Sequence, residues 1–386
     1  MRRKKSTVIL IWALIAIGFI VGMKIKTSKD DSGLKIVKWN NLYEGKNIHF
    51  YYGSSDKAIS NSLKENYQLE KVVGEEKDDF EKILKLLKWT NEKLNYKDDV
   101  KPLSGENGAI DILEKIEKDK KKKYYSDTEY TTIFNESCIA LGITSRIGEL
   151  VTADDTKIKE KESFKVCEIW SVKYKKWMMV DPANGCYLTY KGLPMSVTEI
   201  IEKGIDSLTA VGIENSDKYK KNMKKYFYSY IIPIDNNIYG IKNSNSYIGY
   251  ISKDNEAKIP IKISIKHPVI FTNSNYLFVL SPNNKYVEKK EDKIPTLIFS
   301  KKKSKENLKI NNKENNKENN KEIQFWGGVF KDSVMVENYY ISINNEPFRQ
   351  VNNYFEFPIK DGMNTVKLSV DGKNMVREVV FELKEK

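Results

Sequence analysis

The sequence predicts an α+β fold, with an N-terminal transmembrane helix, a core led by helices, and C-terminal all-β, sandwich-like modules. Three observations lead there. Residues 7–23 form an uncharged apolar run. Helical spacing governs the next well-patterned stretch, where Phe80, Ile83, Leu84, Leu87 and Leu94 share one face. From about residue 239 the period changes to two, as in Ile259, Ile261, Ile263 and Ile265 and again in Val366-Lys367-Leu368-Ser369-Val370.

The apolar run, TVILIWALIAIGFIVGM, contains neither charge nor proline. Its length is at the lower edge of what crosses roughly 30 Å of hydrocarbon. Arg2, Arg3, Lys4 and Lys5 precede it; Lys24, Lys26 and Lys29 follow it, partly offset by Asp30 and Asp31. No small-x-small cleavage site follows Met23. The run therefore reads as an uncleaved signal anchor, with residues 1–6 cytoplasmic and the C-terminal bulk extracytoplasmic, a single-pass protein of the cell membrane. The net charge of +13 over 386 residues is spread among interleaved Lys and Glu. That is the pattern of a solvated surface, or of attraction to lipid headgroups or a polyanionic cell wall. No nucleic-acid-binding signature accompanies the charge, so nucleic acid is not an expected partner. Cys138, Cys167 and Cys186, with only His49 and His267, make no CxxC pair and no zinc set. Neither a metal nor another cofactor is expected, and one disulfide could form.

Residues 24–77 read as a juxtamembrane stalk, interrupted by an isolated strand candidate at 47–53. Helices are predicted over 78–94, over 108–118 (Ile110, Leu113, Ile116) and after Ser126. There Ser126-Asp127-Thr128-Glu129 has the capping-box pattern, and Gly142 ends the helix. Its apolar face is Tyr130, Ile133, Phe134, Cys138 and Leu141. Strands follow at 164–171 and 177–180, the second closed by Asp181-Pro182. A second capping box, Ser196-Val197-Thr198-Glu199, starts a further helix, with Met195 and Ile200 placed for a hydrophobic staple. A basic, aromatic helix is predicted over 217–230, then a β-rich region over 236–300. Residues 301–322, with eight Lys, four Glu and the repeat NNKENNKENNKE, read as a flexible linker. Beyond it, residues 323–386 are expected to be a separate C-terminal β domain, with Asp371-Gly372 as a turn, tethered at the far end of the molecule from the anchor.

Several pieces occur in a set order between 78 and 235: Leu141-Gly142-Ile143-Thr144-Ser145-Arg146, then Glu168-Ile169-Trp170, then Lys176-Trp177-Met178-Met179-Val180-Asp181-Pro182, then Gly192-Leu193-Pro194-Met195-Ser196-Val197-Thr198-Glu199-Ile200. Together they resemble the transglutaminase-like superfamily, in a bacterial, membrane-anchored form. The resemblance implies a core related to papain-type cysteine proteases over 78–235. It also implies acyl transfer through a thioester, with a Cys at a helix N-terminus, a His as base and an Asp that orients the His. At the matching positions this chain has Asp127, Phe164 and Asp181, and the local pattern C-x-x-[FY]-A becomes Asp127-Thr128-Glu129-Tyr130-Thr131. A carboxylate cannot replace a thiolate in amide acyl transfer, and a phenyl ring accepts no proton. The catalytic triad is thus degenerate, with no catalytic set intact.

Other residues could in principle act instead. Cys138 lies on the apolar helix face and reads as packing. Cys167 neighbours Glu168 with no His near it in sequence, and Cys186, in the loop after Asp181, is the remaining candidate nucleophile. His49 and His267 read as structural or exposed. Asp127 suits a helix N-terminus, and Phe164 extends an apolar strand. The expected function is that of a pseudoenzyme at the bacterial cell surface that binds or scaffolds a peptide, protein or cell-wall ligand. The alternatives are an active transglutaminase- or peptidase-type acyl-transfer enzyme with an unrecognised nucleophile, and a purely structural stalk protein. The family order of motifs also predicts that Asp127, Phe164 and Asp181 converge in space.

Overall fold

The computed structural model describes residues 33–384 except 47, 49, 53–55, 77, 99, 105–107, 119–122, 154–160, 236–245, 256–258, 261–266, 283–291 and 303–322. The predicted anchor at 7–23, nearly all of the predicted linker, His49 and the Ile261–263–265 alternation lie outside the described residues. No helix among the described residues is long and apolar enough to cross a membrane.

The described chain opens with strand β1 (Leu34–Asn40) and helices α1 (Lys57–Asn66), α2 (Leu69–Val73) and α3 (Asp79–Lys93). Next come the two-residue strand β2 (Asn95–Tyr96), α4 (Ala109–Lys118), the two-residue strand β3 (Tyr124–Tyr125) and α5 (Asp127–Ala140). An antiparallel meander follows, β4 (Ser145–Val151), β5 (Ser163–Ser171), β6 (Lys176–Asp181) and β7 (Cys186–Tyr190). Then come β8 (Leu193–Pro194), α6 (Val197–Lys203), β9 (Thr209–Val211), α7 (Ser216–Met223), β10 (Ser229–Ile234), β11 (Ser246–Ile251), β12 (Val269–Thr272) and α8 (Tyr276–Val279). These strands make one sheet in the order β12-β11-β10-β4-β5-β6-β7-β8, with β9 on β7. Its pairs are antiparallel except β11 with β12.

Helix α5 runs between that sheet and the layer of α1, α3 and α4. Burial therefore reaches beyond the predicted apolar face. Tyr130, Ile133, Phe134 and Cys138 are buried, and so are Thr131, Asn135 and Ser137. A helix covered on all sides is a core helix, and its buried polar groups are only partly paired, Ser137 Oγ and Asn135 Oδ1 having no hydrogen-bond partner among the described residues. Thr131 Oγ1 donates to the Asp127 carbonyl oxygen at 2.8 Å.

The basic helix predicted over 217–230 stops at Met223, and a 3-10 turn over Lys224–Tyr226 leads into β10. Tyr230 is a strand residue opposite Leu150 of β4. The run Tyr228-Ser229-Tyr230-Ile231-Ile232 is aromatic and β-branched, and with β4 and β11 on its two sides the strand prevails over the helical start. The stalk reading of 24–77 is likewise corrected. Leu63, Leu69 and Val73 of α1 and α2 sit in the main core, and β1 pairs antiparallel with the last strand of the chain. Its lysines made β1 look polar, but Lys35 and Lys38 pair with Glu382 and Glu378 across that ladder. Nor does the 47–53 stretch stand alone, since Phe50 bridges Ile234.

The C-terminal β unit is built from β13 (Thr296–Lys301), β14 (Ile323–Lys331), β15 (Val334–Met335), β16 (Asn338–Ile343), β17 (Arg349–Asn352), β18 (Phe355–Ile359), β19 (Gly362–Ser369) and β20 (Met375–Leu383), together with β1. One sheet runs β1-β20-β19-β16-β17; the other runs β13-β14-β15, with β18 on β14. Between them lies a second core containing Leu34, Leu297, Phe299, Phe325, Phe357 and Phe381. The rings of Phe325 and Phe381 stack at 5.6 Å, and Phe299 meets Phe381 edge-on at 5.6 Å. A boundary at residue 323 therefore cuts through the sandwich, because β13 lies before it and β1 nearly three hundred residues before it.

Candidate functional site

The start of α5 is fixed by local chemistry. Ser126 Oγ accepts the Thr128 N–H at 3.2 Å, and Glu129 Oε2 accepts both the Ser126 N–H at 3.0 Å and the Ser126 hydroxyl at 2.6 Å. Glu129 Oε1 also accepts the Leu103 N–H at 2.7 Å, which ties the preceding loop to the helix. Asp127 is thereby set as the first helical residue, 3% exposed. The unpaired N–H groups of a helix start favour a carboxylate there.

Two donors hold that carboxylate. Asp127 Oδ1 accepts from Lys161 Nζ at 2.5 Å, and Oδ2 accepts the backbone N–H of Lys165. The same Lys161 nitrogen lies 3.5 Å from Asp98 Oδ1 and 4.8 Å from the centre of the Phe164 ring. Phe164 is buried between Tyr226, with ring centres 5.6 Å apart, and Tyr96, at 6.3 Å. The Tyr96 hydroxyl donates to Asp98 Oδ1 at 2.9 Å.

Asp181, the last residue of β6, is fully buried. Its Oδ1 accepts the Asn184 N–H at 3.0 Å, and its Oδ2 accepts from Asn184 Nδ2 at 2.8 Å and from the Tyr219 hydroxyl at 3.0 Å. Burial pushes its carboxyl up to about 6 despite these bonds, and the charge of Asp127 adds to the rise. The charges of Asp127 and Asp181 both also act on the Tyr96 hydroxyl, which burial already pushes up. Lys161 thus joins Asp127 to the Phe164 ring, on which Tyr96 packs, and Asp181 lies near enough for its charge to act on Tyr96 and for the charge of Asp127 to act on it.

Cys138, Cys167 and Cys186 are free thiols, each buried and each pushed up by that burial. The Cys186 thiol is raised further by the neighbouring Asp181 charge. A nucleophilic cysteine needs the opposite environment, electropositive and partly open. His267, expected to be structural or exposed, lines the site. Parallel pairing of β12 with β11 carries it to Tyr247, with ring centres 4.9 Å apart. A pocket of about 370 Å³ is lined by Asp127, Lys161, Lys165, Glu149, Tyr247 and His267, among others.

The residues of the sequence motifs mostly build the frame. Arg146 donates to Glu168 Oε2 through Nε at 3.0 Å and Nη2 at 2.6 Å, and Nη2 also reaches the Phe278 carbonyl at 2.7 Å. Glu168 in turn accepts the Val197 N–H at 2.9 Å and the Tyr230 hydroxyl at 3.1 Å. The guanidinium lies 3.9 Å from the Trp177 ring. This buried pair fastens β4, β5, α6, α8 and β10 together. Sequence reasoning missed Lys161, Tyr219 and Tyr96. Lys161 sits in Lys157-Ile158-Lys159-Glu160-Lys161-Glu162, where no pattern separates one lysine from the next. Tyr219 is 38 residues from its partner Asp181, and its local spacing predicts only a helix.

Residues 67–182 match the transglutaminase-like superfamily. A solved structure named "a Putative Cysteine Protease from Cytophaga hutchinsonii" is 15% identical, with a TM-score of 0.25, over 39% of this chain and 49% of that one. The match thus spans about half the length of that protein. No curated protein matches the chain.

Proposed function

We propose that this transglutaminase-like protein is a non-catalytic binding or scaffold protein of the bacterial cell surface, anchored by residues 7–23, whose cleft holds a peptide, protein or cell-wall ligand. The observation that supports this most is the state of the nucleophile position. Asp127 stands there as a helix-start carboxylate held by Lys161 and the Lys165 N–H, and the neighbouring base position is the buried ring of Phe164. Loss of nucleophile and base removes the chemistry and leaves binding. The pocket beside Asp127 carries both signs of charge, Lys161 and Lys165 with Asp127 and Glu149, next to Tyr247 and the apolar Ile147 and Ile231. Such a lining suits a peptide segment with polar groups of both signs.

The competing reading, acyl transfer through Cys186, requires a thiolate where burial and Asp181 favour the thiol. The test uses residues 30–386, incubated with a labelled primary amine and a glutamine-bearing protein, and separately passed over peptide and purified cell-wall material. No amine incorporation is expected, together with retention on one of the two materials. Turnover abolished by Cys186→Ser would overturn the proposal, and retention on neither material would leave the structural-stalk reading in its place.

A further inference from the structure

We infer that Lys161 and Asp127 are joined by an intramolecular isopeptide bond that the chain forms itself, with Asp98 as proton carrier. The groups that such a condensation needs are assembled around one nitrogen. The amine is Lys161 Nζ, 2.5 Å from Asp127 Oδ1. The electrophile is the Asp127 carboxyl, whose other oxygen accepts the Lys165 backbone N–H. That N–H is a fixed donor at the oxygen on which negative charge develops when nitrogen adds to the carboxyl carbon. The proton carrier is Asp98, with Oδ1 3.5 Å from Lys161 Nζ and oriented by the Tyr96 hydroxyl. The surroundings are apolar on one side, with the Phe164 ring 4.8 Å from the nitrogen and Tyr96 against Phe164. The Asp127 side chain is 5% exposed and that of Lys161 22%.

The reaction is a condensation without redox change. Asp98 takes a proton from the Lys161 ammonium and passes it to Asp127 Oδ1, and the freed amine attacks the neutral carboxyl at Cγ, forming the C–N bond. The tetrahedral charge rests on Oδ2, held by the Lys165 N–H. Asp98 then relays the second proton from nitrogen to Oδ1. The Cγ–Oδ1 bond then breaks and one water leaves, carrying both protons. The product amide keeps Oδ2 as its carbonyl oxygen, so the hydrogen bond from Lys165 survives. Reactants held in this way reach effective molarities on the order of 10⁵–10⁸ M, which makes the addition of nitrogen to the carboxyl effectively unimolecular. An ion pair of the same geometry would leave the covalent mass unchanged, and the two are separated on that ground.

The decisive measurement is the intact mass of the full chain. It is expected to fall about 18 Da below the mass calculated from the sequence. Tryptic mapping should return a branched peptide that joins the Asp127 segment to the Lys161 segment, uncut after Lys161. Lys161→Ala and Asp127→Ala should restore the full mass. Asp127→Asn should still link, with loss of ammonia, about 17 Da, in place of water. Asp98→Ala should lower the linked fraction, and an unchanged fraction would overturn the role given to Asp98. A wild-type chain at full mass, with the two segments recovered as separate peptides, overturns the bond itself. That reading is made on the wild-type chain and does not depend on whether a variant folds. The bond would leave Lys165 and Glu149 as the charged groups named in the pocket, so both signs remain, and ligand retention is read separately from the mass.

Discussion

Asp181 shows how one residue can be legible as a position and illegible as an environment. The motif Trp177-Met178-Met179-Val180-Asp181-Pro182 located it at a strand end, but its partners Asn184 and Tyr219 are set by the loop and by a helix far along the chain. Both partners are neutral donors, and burial dominates, taking the carboxyl from 3.8 to about 6. Between these values the folded chain keeps a proton that the unfolded chain has released. The associated stability is full below the unfolded value and is lost as pH rises through the folded value, by about 3 kcal/mol at most. Glu136 and Asp292 are also raised by burial and act in the same direction. Asp181→Asn, neutral throughout, should therefore flatten part of the fall in urea-unfolding free energy between about pH 4 and about pH 6. Parallel profiles for the variant and the wild type would show that Asp181 does not hold the proton.

Elements were readable wherever neighbours in sequence decide them. The capping boxes at Ser126–Glu129 and Ser196–Glu199 both form, with each serine accepting a helix N–H and each glutamate accepting the serine N–H. Where partners distant in sequence decide, the reading failed. The helix predicted to Tyr230 gave way to a 3-10 turn over Lys224–Tyr226 and to strand at Ser229 and Tyr230 because β4 and β11 flank β10, and 34–40 became a strand because β20 has a free side for it. The site shares this division, since α5 presents Asp127 by a local rule and Lys161 reaches it by a tertiary one. Ser126→Ala removes the acceptor of the Thr128 N–H and one of the donors to Glu129, and should cost about 1 kcal/mol in urea unfolding with the m-value unchanged. No measurable loss would mean that Glu129, through the Ser126 and Leu103 N–H groups, holds the helix start alone.

At the scale of the whole molecule, the sandwich is assembled from three separated pieces of chain, and the first of them ties it to the transglutaminase-like body. Trp39 meets Phe271 of the body sheet at 6.2 Å and Phe299 of the sandwich at 6.3 Å. Asn41 exchanges two hydrogen bonds with the backbone of Leu297, both at 2.8 Å, and the Tyr43 hydroxyl donates to Asp292 Oδ1 at 2.9 Å. Arg377 of β20 donates to the Pro295 carbonyl at 3.2 Å and to Glu44 at 3.1 Å. If residues 7–23 anchor the chain as proposed, only residues 24–33 separate the membrane from β1. Ten extended residues reach at most about 35 Å, so the sandwich would lie beside the membrane and not at the far end. The same wiring fixes what proteolysis does. Trypsin can cut at the lysines between 303 and 322. A cut there leaves β20 paired with β1 and β14 paired with β13, each across the break. The two fragments should therefore co-elute in gel filtration and separate only in denaturant. Residues 323–386 expressed alone should lack a cooperative unfolding transition, because β14 and β20 each lose an edge partner and the core loses Leu34, Leu297 and Phe299. A nicked C-terminal fragment that elutes by itself and unfolds cooperatively would show that β1 and β13 are dispensable and that the sandwich is a domain of its own.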